Sequence, residues 1–242
     1  MSISELFRKK DETPRCSAVI VAAGRSKRMG TDKIMANLGG MPVLARTLKV
    51  FQNSKYVDEI IVVTRMERIE EIAECCEKFG ITKTAKVVCG GSTRMESALA
   101  GVSEVSPRAR LIAIHDGARP LVTDLIIKRC VYAARDYLAA VPMLKMTDTL
   151  KMIDDDGVVI EPVDRESVVR VQTPQIFSAD LIKGALTKAV TQHLKITDDC
   201  SAIAMMGVKT HTVTGDEDNI KLTTPRDFFI AEAILRNRGE LD

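Results

Sequence analysis

Short apolar runs rich in β-branched residues alternate along the chain with segments whose apolar positions recur every three or four residues. That is the pattern of βαβ units built around a mostly parallel sheet. Residues 17–23 predict a buried first strand, followed by a polar loop over 24–40 and a helix opened by Pro42, whose missing N–H costs nothing in a first helical turn. Residues 58–64 predict the second strand. Met66, Ile69, Ile72, Ala73, Cys76 and Phe79 then form an apolar helical stripe that ends at Gly80, a left-handed stop. Further strands are expected at 85–89, 111–115 and 139–143, and a helix at 124–137. Thr93 and Glu96 have the spacing of a capping box ahead of the stripe Leu99, Val102 and Val105. From 147 to 171 the alternation changes: Asp154-Asp155-Asp156-Gly157 is a turn signal and predicts a protruding hairpin. Helical period returns at 178–190 and 198–206, with Ser178 and Thr197 as N-caps and Gly207 as a stop. Residues 208–213 predict a late strand, and Thr224-Pro225 with Asp227 in the first turn opens the last helix.

The composition narrows the class. Of 242 residues, 45% are apolar and 28% charged, and 35 basic against 33 acidic side chains leave a net charge of +2. That balance fits a globular protein and argues against a nucleic-acid-coating one, which needs a basic excess or a dense basic face. No apolar stretch approaches the roughly 20 residues that cross a bilayer, so no membrane association is expected. Residues 1–16 carry Glu5, Arg8, Lys9, Lys10, Asp11, Glu12 and Arg15 and lack the apolar middle of an export signal. They read as a short N-terminal tail, a candidate disordered segment, ahead of one domain over 17–242 with a β-arm at about 147–171. The six cysteines show neither CxxC pairs nor zinc spacing, so reduced thiols in a cytoplasmic protein are expected.

Four segments carry candidate chemistry. The loop over 22–33, AAGRSKRMGTDK, follows a buried strand with two glycines and four basic residues. Small residues let backbone N–H groups approach anionic oxygens while Arg and Lys add mobile charge, which suits a polyphosphate. Neither the GxGxxG nor the Walker spacing is present. In IHDGARP, residues 114–120, a strand runs into a loop carrying Asp116 and Arg119. An Asp at a strand's carboxyl end can hold Mg²⁺ bridging phosphate oxygens, and a nearby Arg can clamp the same phosphates. His115 reads as a hydrogen-bonded core residue. Arg165 and Arg170, in VDRESVVRVQTPQIF over 163–177, are candidates for a second anion, or for surface ion pairs of little energetic weight. In DNIKLTTP, residues 218–225, Asp218 is a candidate second metal ligand and Lys221 a candidate phosphate contact.

Taken together and in order, AAGxxxRM, GGxxRxxS over 90–97, HDGARP, VDR…QTPQ, TDD from Thr197 and DNIKLTTP resemble the 2-C-methyl-D-erythritol 4-phosphate cytidylyltransferase family, over about 17–235. The resemblance implies a single Rossmann-like nucleotide-diphospho-sugar-transferase α/β domain with a mostly parallel twisted sheet, whose β-arm is exchanged between the subunits of a homodimer. It implies transfer of a cytidylyl group from CTP to 2-C-methyl-D-erythritol 4-phosphate with Mg²⁺ and release of pyrophosphate. By motif, Ala22, Ala23, Gly24, Gly91 and Ser97 would contact the nucleotide, with Gly117 and Arg119 lining its site. Arg28 and Lys33 would stabilise the transition state and Asp116 would bind the metal. Thr149, Arg165, Thr173, Thr197 and Lys221 would receive the sugar-alcohol phosphate, Thr149 and Arg165 from the neighbouring subunit. The sequence departs from the family pattern at Ser26, where many members carry Gly, and at Asp32-Lys33-Ile34, where many carry Pro-Lys-Gln. A cytidylyltransferase for ribitol 5-phosphate would share the nucleotide motifs. A non-catalytic nucleotide-binding module would not need Arg28, Lys33 and Asp116 together.

Overall fold

β1 (Cys16–Val21) sends apolar side chains to both of its faces and is buried on both, as a central strand covered by two layers of helices must be. The computed structural model describes residues 15–24, 32–194 and 196–241. After β1 come β2 (Asn37–Leu38), β3 (Met41–Pro42), α1 (Val43–Asn53), β4 (Glu59–Thr64), α2 (Ile69–Lys78), β5 (Thr84–Cys89), α3 (Arg94–Ser103), β6 (Leu111–Asp116), α4 (Asp124–Tyr137) and β7 (Ala139–Lys145). The second half holds β8 (Leu150–Ile153), β9 (Val159–Val163), β10 (Val169–Val171), β11 (Gln175–Ser178), α5 (Ala179–Thr191), α6 (Asp199–Ala204), β12 (His211–Thr214) and α7 (Pro225–Asn237).

The main sheet runs β10-β7-β11-β6-β1-β4-β5, and β12 also pairs with β7, parallel to it. β6, β1, β4 and β5 are mutually parallel, with Ala18 opposite both Ile60 and Ala113. One face packs Ala18, Ile20 and Val62 against Leu48 of α1, Ile72 of α2 and Ile127 of α4. The other packs Val19, Ile61 and Val63 against Ala98 and Val102 of α3 and Ile182 and Leu186 of α5. α3 lies close to the sheet because it carries Gly101, where an added Cβ would overlap methyl groups of Val19 and Val63. α7 closes a smaller cluster with Leu38, Leu121 and Leu222.

The predicted caps form. Glu96 N donates to Thr93 Oγ1 at 3.1 Å and its carboxylate accepts from Thr93 N at 3.1 Å, while Asp227 accepts from Thr224 N at 2.8 Å. Gly80 has φ +65°. Other expectations are corrected. The end of the predicted polar loop and the residues up to Pro42 form the β2–β3 hairpin, turned by Gly39 and Gly40 at φ +57° and +87°, so Pro42 closes β3 and is the N-cap of α1 rather than a residue of its first turn. The N-cap of α6 is Asp198, not Thr197, because the Asp198 carboxylate accepts from Ser201 N at 3.0 Å. Ser178 occupies the N-cap of α5 without a side-chain cap bond. The late strand is His211–Thr214. β11 was not expected: it enters between β6 and β7, antiparallel to both. Cys16, assigned to the tail, is the buried first residue of β1. β8 and β9 form the predicted hairpin, turned by Gly157 at φ +81°, and among the described residues they pair only with each other.

Candidate active site

The carboxyl ends of β1, β4, β5 and β6 open onto one cavity of about 800 Å³. β1 is where the strand order reverses, since the chain leaves it for β4 on one side and β6 lies on the other; ligands of open α/β sheets collect in that crevice. Ala22, Ala23 and Gly24 reach it after β1, Arg65 after β4, Gly90 and Gly91 after β5, and Asp116 closes β6 at its floor, with Lys33 and Lys221 on the walls. The turn from β5 into α3 admits only small residues: a Cβ on Gly90 would stand 2.6 Å from Ser97 Oγ, and one on Gly91 would overlap Glu96. Ser97 is buried in the cavity wall and donates to Thr93 O at 2.8 Å.

Asp116 is the electrostatic centre. Lys221 Nζ lies 2.9 Å from its carboxylate, and the Nε atoms of Arg94 and Arg119 each lie 3.5 Å away. Arg94 also makes a two-pronged pair with fully buried Asp199, at 2.9 and 2.8 Å. Three cations therefore face two carboxylates, and the excess charge is positive, as an anion site requires. Burial alone would raise the Asp116 pKa, but Lys221, Arg94 and Arg119 outweigh it and hold the group ionised, well below the ordinary carboxylate range. Burial likewise opposes the charge on Arg94, and Asp199 and Asp116 more than restore it.

His115 is a core residue, as its sequence context suggested. Its ring is fully buried against Phe51, with Thr173 Oγ1 2.9 Å from Nδ1 and Arg119 O 3.2 Å from Nε2. Burial lowers its pKa to about 3, so the ring is neutral. Thr173 Oγ1 also accepts from Asp116 N at 3.2 Å, which fixes the strand end that carries the carboxylate.

Among the described residues no group of three or more His, Cys, Asp or Glu side chains could hold a metal. A single ionised carboxylate on the cavity floor nevertheless suits Mg²⁺, which is commonly bound by one or two carboxylates together with substrate phosphates and water. Asp218 is not part of that floor: it pairs with Arg238 at 3.1 Å.

The remaining candidates divide. Arg28 lies outside the described residues. Lys33 lines the cavity and donates to Leu222 O at 2.9 Å. Gly117 ties β6 to β1 through a 2.9 Å bond to Val21 O, and Arg119 supports Asp116 while donating to Asn219 O at 2.7 Å. Thr197 is exposed, 3.0 Å from Ser201 Oγ. Thr149 and Arg165 are exposed at the base of the β8–β9 hairpin, and Arg165 donates to Thr147 O at 3.1 Å. Neither lines the cavity of its own chain. Sequence reasoning assigned no role to Arg94, Asp199 or Arg65. Arg94 offered a signal, because a cation in the first turn of a capped helix opposes the helix dipole and implies an anionic partner.

The family model described as IspD, 2-C-methyl-D-erythritol 4-phosphate cytidylyltransferase, matches residues 16–237. The protein named 2-C-methyl-D-erythritol 4-phosphate cytidylyltransferase in Caldanaerobacter subterraneus subsp. tengcongensis is 43% identical over 223 residues, covering 91% of this chain and 98% of the relative. The crystal structure of 4-diphosphocytidyl-2C-methyl-D-erythritol synthase from Anaerococcus prevotii superposes with a TM-score of 0.83 at 32% identity, covering 94% of this chain and 99% of that one. The 2-C-methyl-D-erythritol 4-phosphate cytidylyltransferase of Thermus thermophilus gives a TM-score of 0.74 at 30% identity, with 90% and 98% covered.

Proposed function

The chain belongs to the 2-C-methyl-D-erythritol 4-phosphate cytidylyltransferase family, and on that premise we propose a role for each part of the cavity. The protein transfers a cytidylyl group to 2-C-methyl-D-erythritol 4-phosphate, a step of isoprenoid-precursor biosynthesis. The donor in this reading is CTP. An oxygen of the acceptor's phosphate attacks the α-phosphorus, a new P–O bond forms, and the bond from the α-phosphorus to the bridging oxygen breaks as pyrophosphate leaves.

The second ionisation of a phosphate monoester lies near ~6, so the attacking oxygen is anionic at neutral pH and no proton has to be removed. The neutral, enclosed ring of His115 agrees with a reaction that uses no protein base. What remains is alignment and neutralisation of two anions. Backbone N–H groups of Ala22, Ala23 and Gly24 receive the triphosphate, and Gly91 and Ser97 flank the cytosine. Gly117 and Arg119 support the nucleotide side from beneath. Arg28 and Lys33 offset the charge that grows on the α-phosphate and the leaving pyrophosphate. Lys221, Thr173 and Thr197 hold the acceptor phosphate, joined by Thr149 and Arg165 from a second subunit. Asp116 would hold Mg²⁺, which when bound supplies Lewis-acid charge to phosphate oxygens.

The homodimer is supported by the hairpin, which carries exposed Met152, Ile153, Val159 and Ile160 and has no further partner strand among the described residues. Six free cysteines support a reducing, cytoplasmic setting. The observation that carries the reading is the ionised Asp116 ringed by Lys221, Arg94 and Arg119 at the floor of the crevice. Pyrophosphate release with CTP tests it. Rapid release is expected with methylerythritol phosphate, with little for ribitol 5-phosphate or for no acceptor. Preference for ribitol 5-phosphate would reassign the acceptor.

A further inference from the structure

Lys33 stands between two residues that are anchored in different ways. Ile34 is buried in the core, and its carbonyl accepts from Leu44 N at 2.9 Å. Asp32 is held by charge: Arg65 Nη2 and Arg68 Nη2 approach the same carboxylate oxygen at 2.9 and 2.8 Å. Its other oxygen accepts from Ile34 N at 3.1 Å, so one carboxylate fixes both the turn around Lys33 and the place where that turn docks. All three charged side chains of this cluster are mostly buried, at 19–25% exposure, whereas Glu67 and Glu71, the outer partners of Arg65 and Arg68, are exposed at 63% and 46%. Asp32 is thus the inner partner of the two guanidinium groups, and Arg65 follows directly on β4, beside the cavity.

We propose that Asp32, Arg65 and Arg68 form a clamp that positions Lys33 in the cavity. It fastens the segment carrying Lys33 to the end of β4, while the Lys33 ammonium bonds to Leu222 O, one residue from Lys221. The clamp acts by limiting where the Lys33 charge can sit. A misplacement of about 1 Å in such a group can cost on the order of a hundredfold in rate, so a clamp of this kind is worth having.

The proposal rests on the role given to Lys33 above, and a double-mutant cycle separates the two. Asp32→Ala should lower kcat by roughly tenfold or more while the KM for the acceptor changes less than about twofold. In a Lys33→Ala background the same change should have almost no further effect, because the group it positions is gone. Arg65→Met serves as the second variant, with the same coupling expected, and Asp32→Glu should recover part of the rate. Unfolding midpoints show whether each variant is folded. Full additivity of Asp32→Ala and Arg65→Met with Lys33→Ala, when Lys33→Ala alone is strongly impaired, overturns the clamp and leaves the role of Lys33 standing. Normal turnover by Lys33→Ala overturns the role of Lys33 and the clamp with it.

Discussion

His115 precedes the carboxylate at the cavity floor, and its burial gives the molecule an acid-sensitive point. The folded ring has a pKa near 3, while an unfolded histidine titrates near ~6.5. Below about pH 6.5 the unfolded chain takes up a proton that the folded ring refuses. The stability tied to the neutral ring is therefore complete above that pH and is lost progressively as pH falls toward 3. His115→Gln should flatten the fall in unfolding free energy between pH 7 and 4, read from urea titrations at several pH values; equal slopes for the two proteins would rule out His115 as the source. The same neighbourhood shows what a sequence reveals at this scale. Asp116 and Lys221 were legible because each sits where a strand or loop delivers a charge to a sheet edge. The Arg94–Asp199 pair was not, since its partners are 105 positions apart and only folding brings them together.

Between elements, α3 approaches the sheet closely at Gly101. Gly101→Ala would gain helix propensity of up to ~1 kcal/mol, yet its methyl would press on stiff β-branched Val19 and Val63. A net loss of roughly 1–3 kcal/mol is expected from overpacking, measurable as a lower urea midpoint at unchanged slope. The turn after β9 carries a different prediction. Arg165→Ala should raise the KM for the acceptor far more than that for CTP in steady-state assays, and equal changes in both would remove it from acceptor binding. The parallel strands could be read from their continuous apolar runs, and α3 and α7 from their caps. β11 could not: four residues beside Pro174 look like part of a polar motif, and antiparallel insertion between two distant strands leaves no local periodicity. The cap of α6 moved by one residue because Thr197 and Asp198 are both good N-caps, and the longer reach of neither is visible in sequence.

At the scale of the whole molecule, the β8–β9 hairpin stands apart from the main sheet among the described residues. Two strands alone are marginal in water, and this pair exposes Ile153 and Ile160 at 58% each. For the homodimer proposed above, replacing both with Lys should shift sedimentation from dimer to monomer and weaken acceptor use, with the circular dichroism of the main domain retained; a dimer that survives the change would place the subunit contact elsewhere, and a monomeric parent protein would overturn the proposed dimer. The threading of the main sheet has a consequence of another kind. β11 fills the gap between β6 and β7 but is encoded downstream of the hairpin, whereas both of its neighbours are encoded upstream. A backbone nicked at the hairpin tip would thus yield an upstream piece with an empty slot in its sheet and a downstream piece holding the missing strand, so separately made halves have a structural reason to find each other and reconstitute the enzyme.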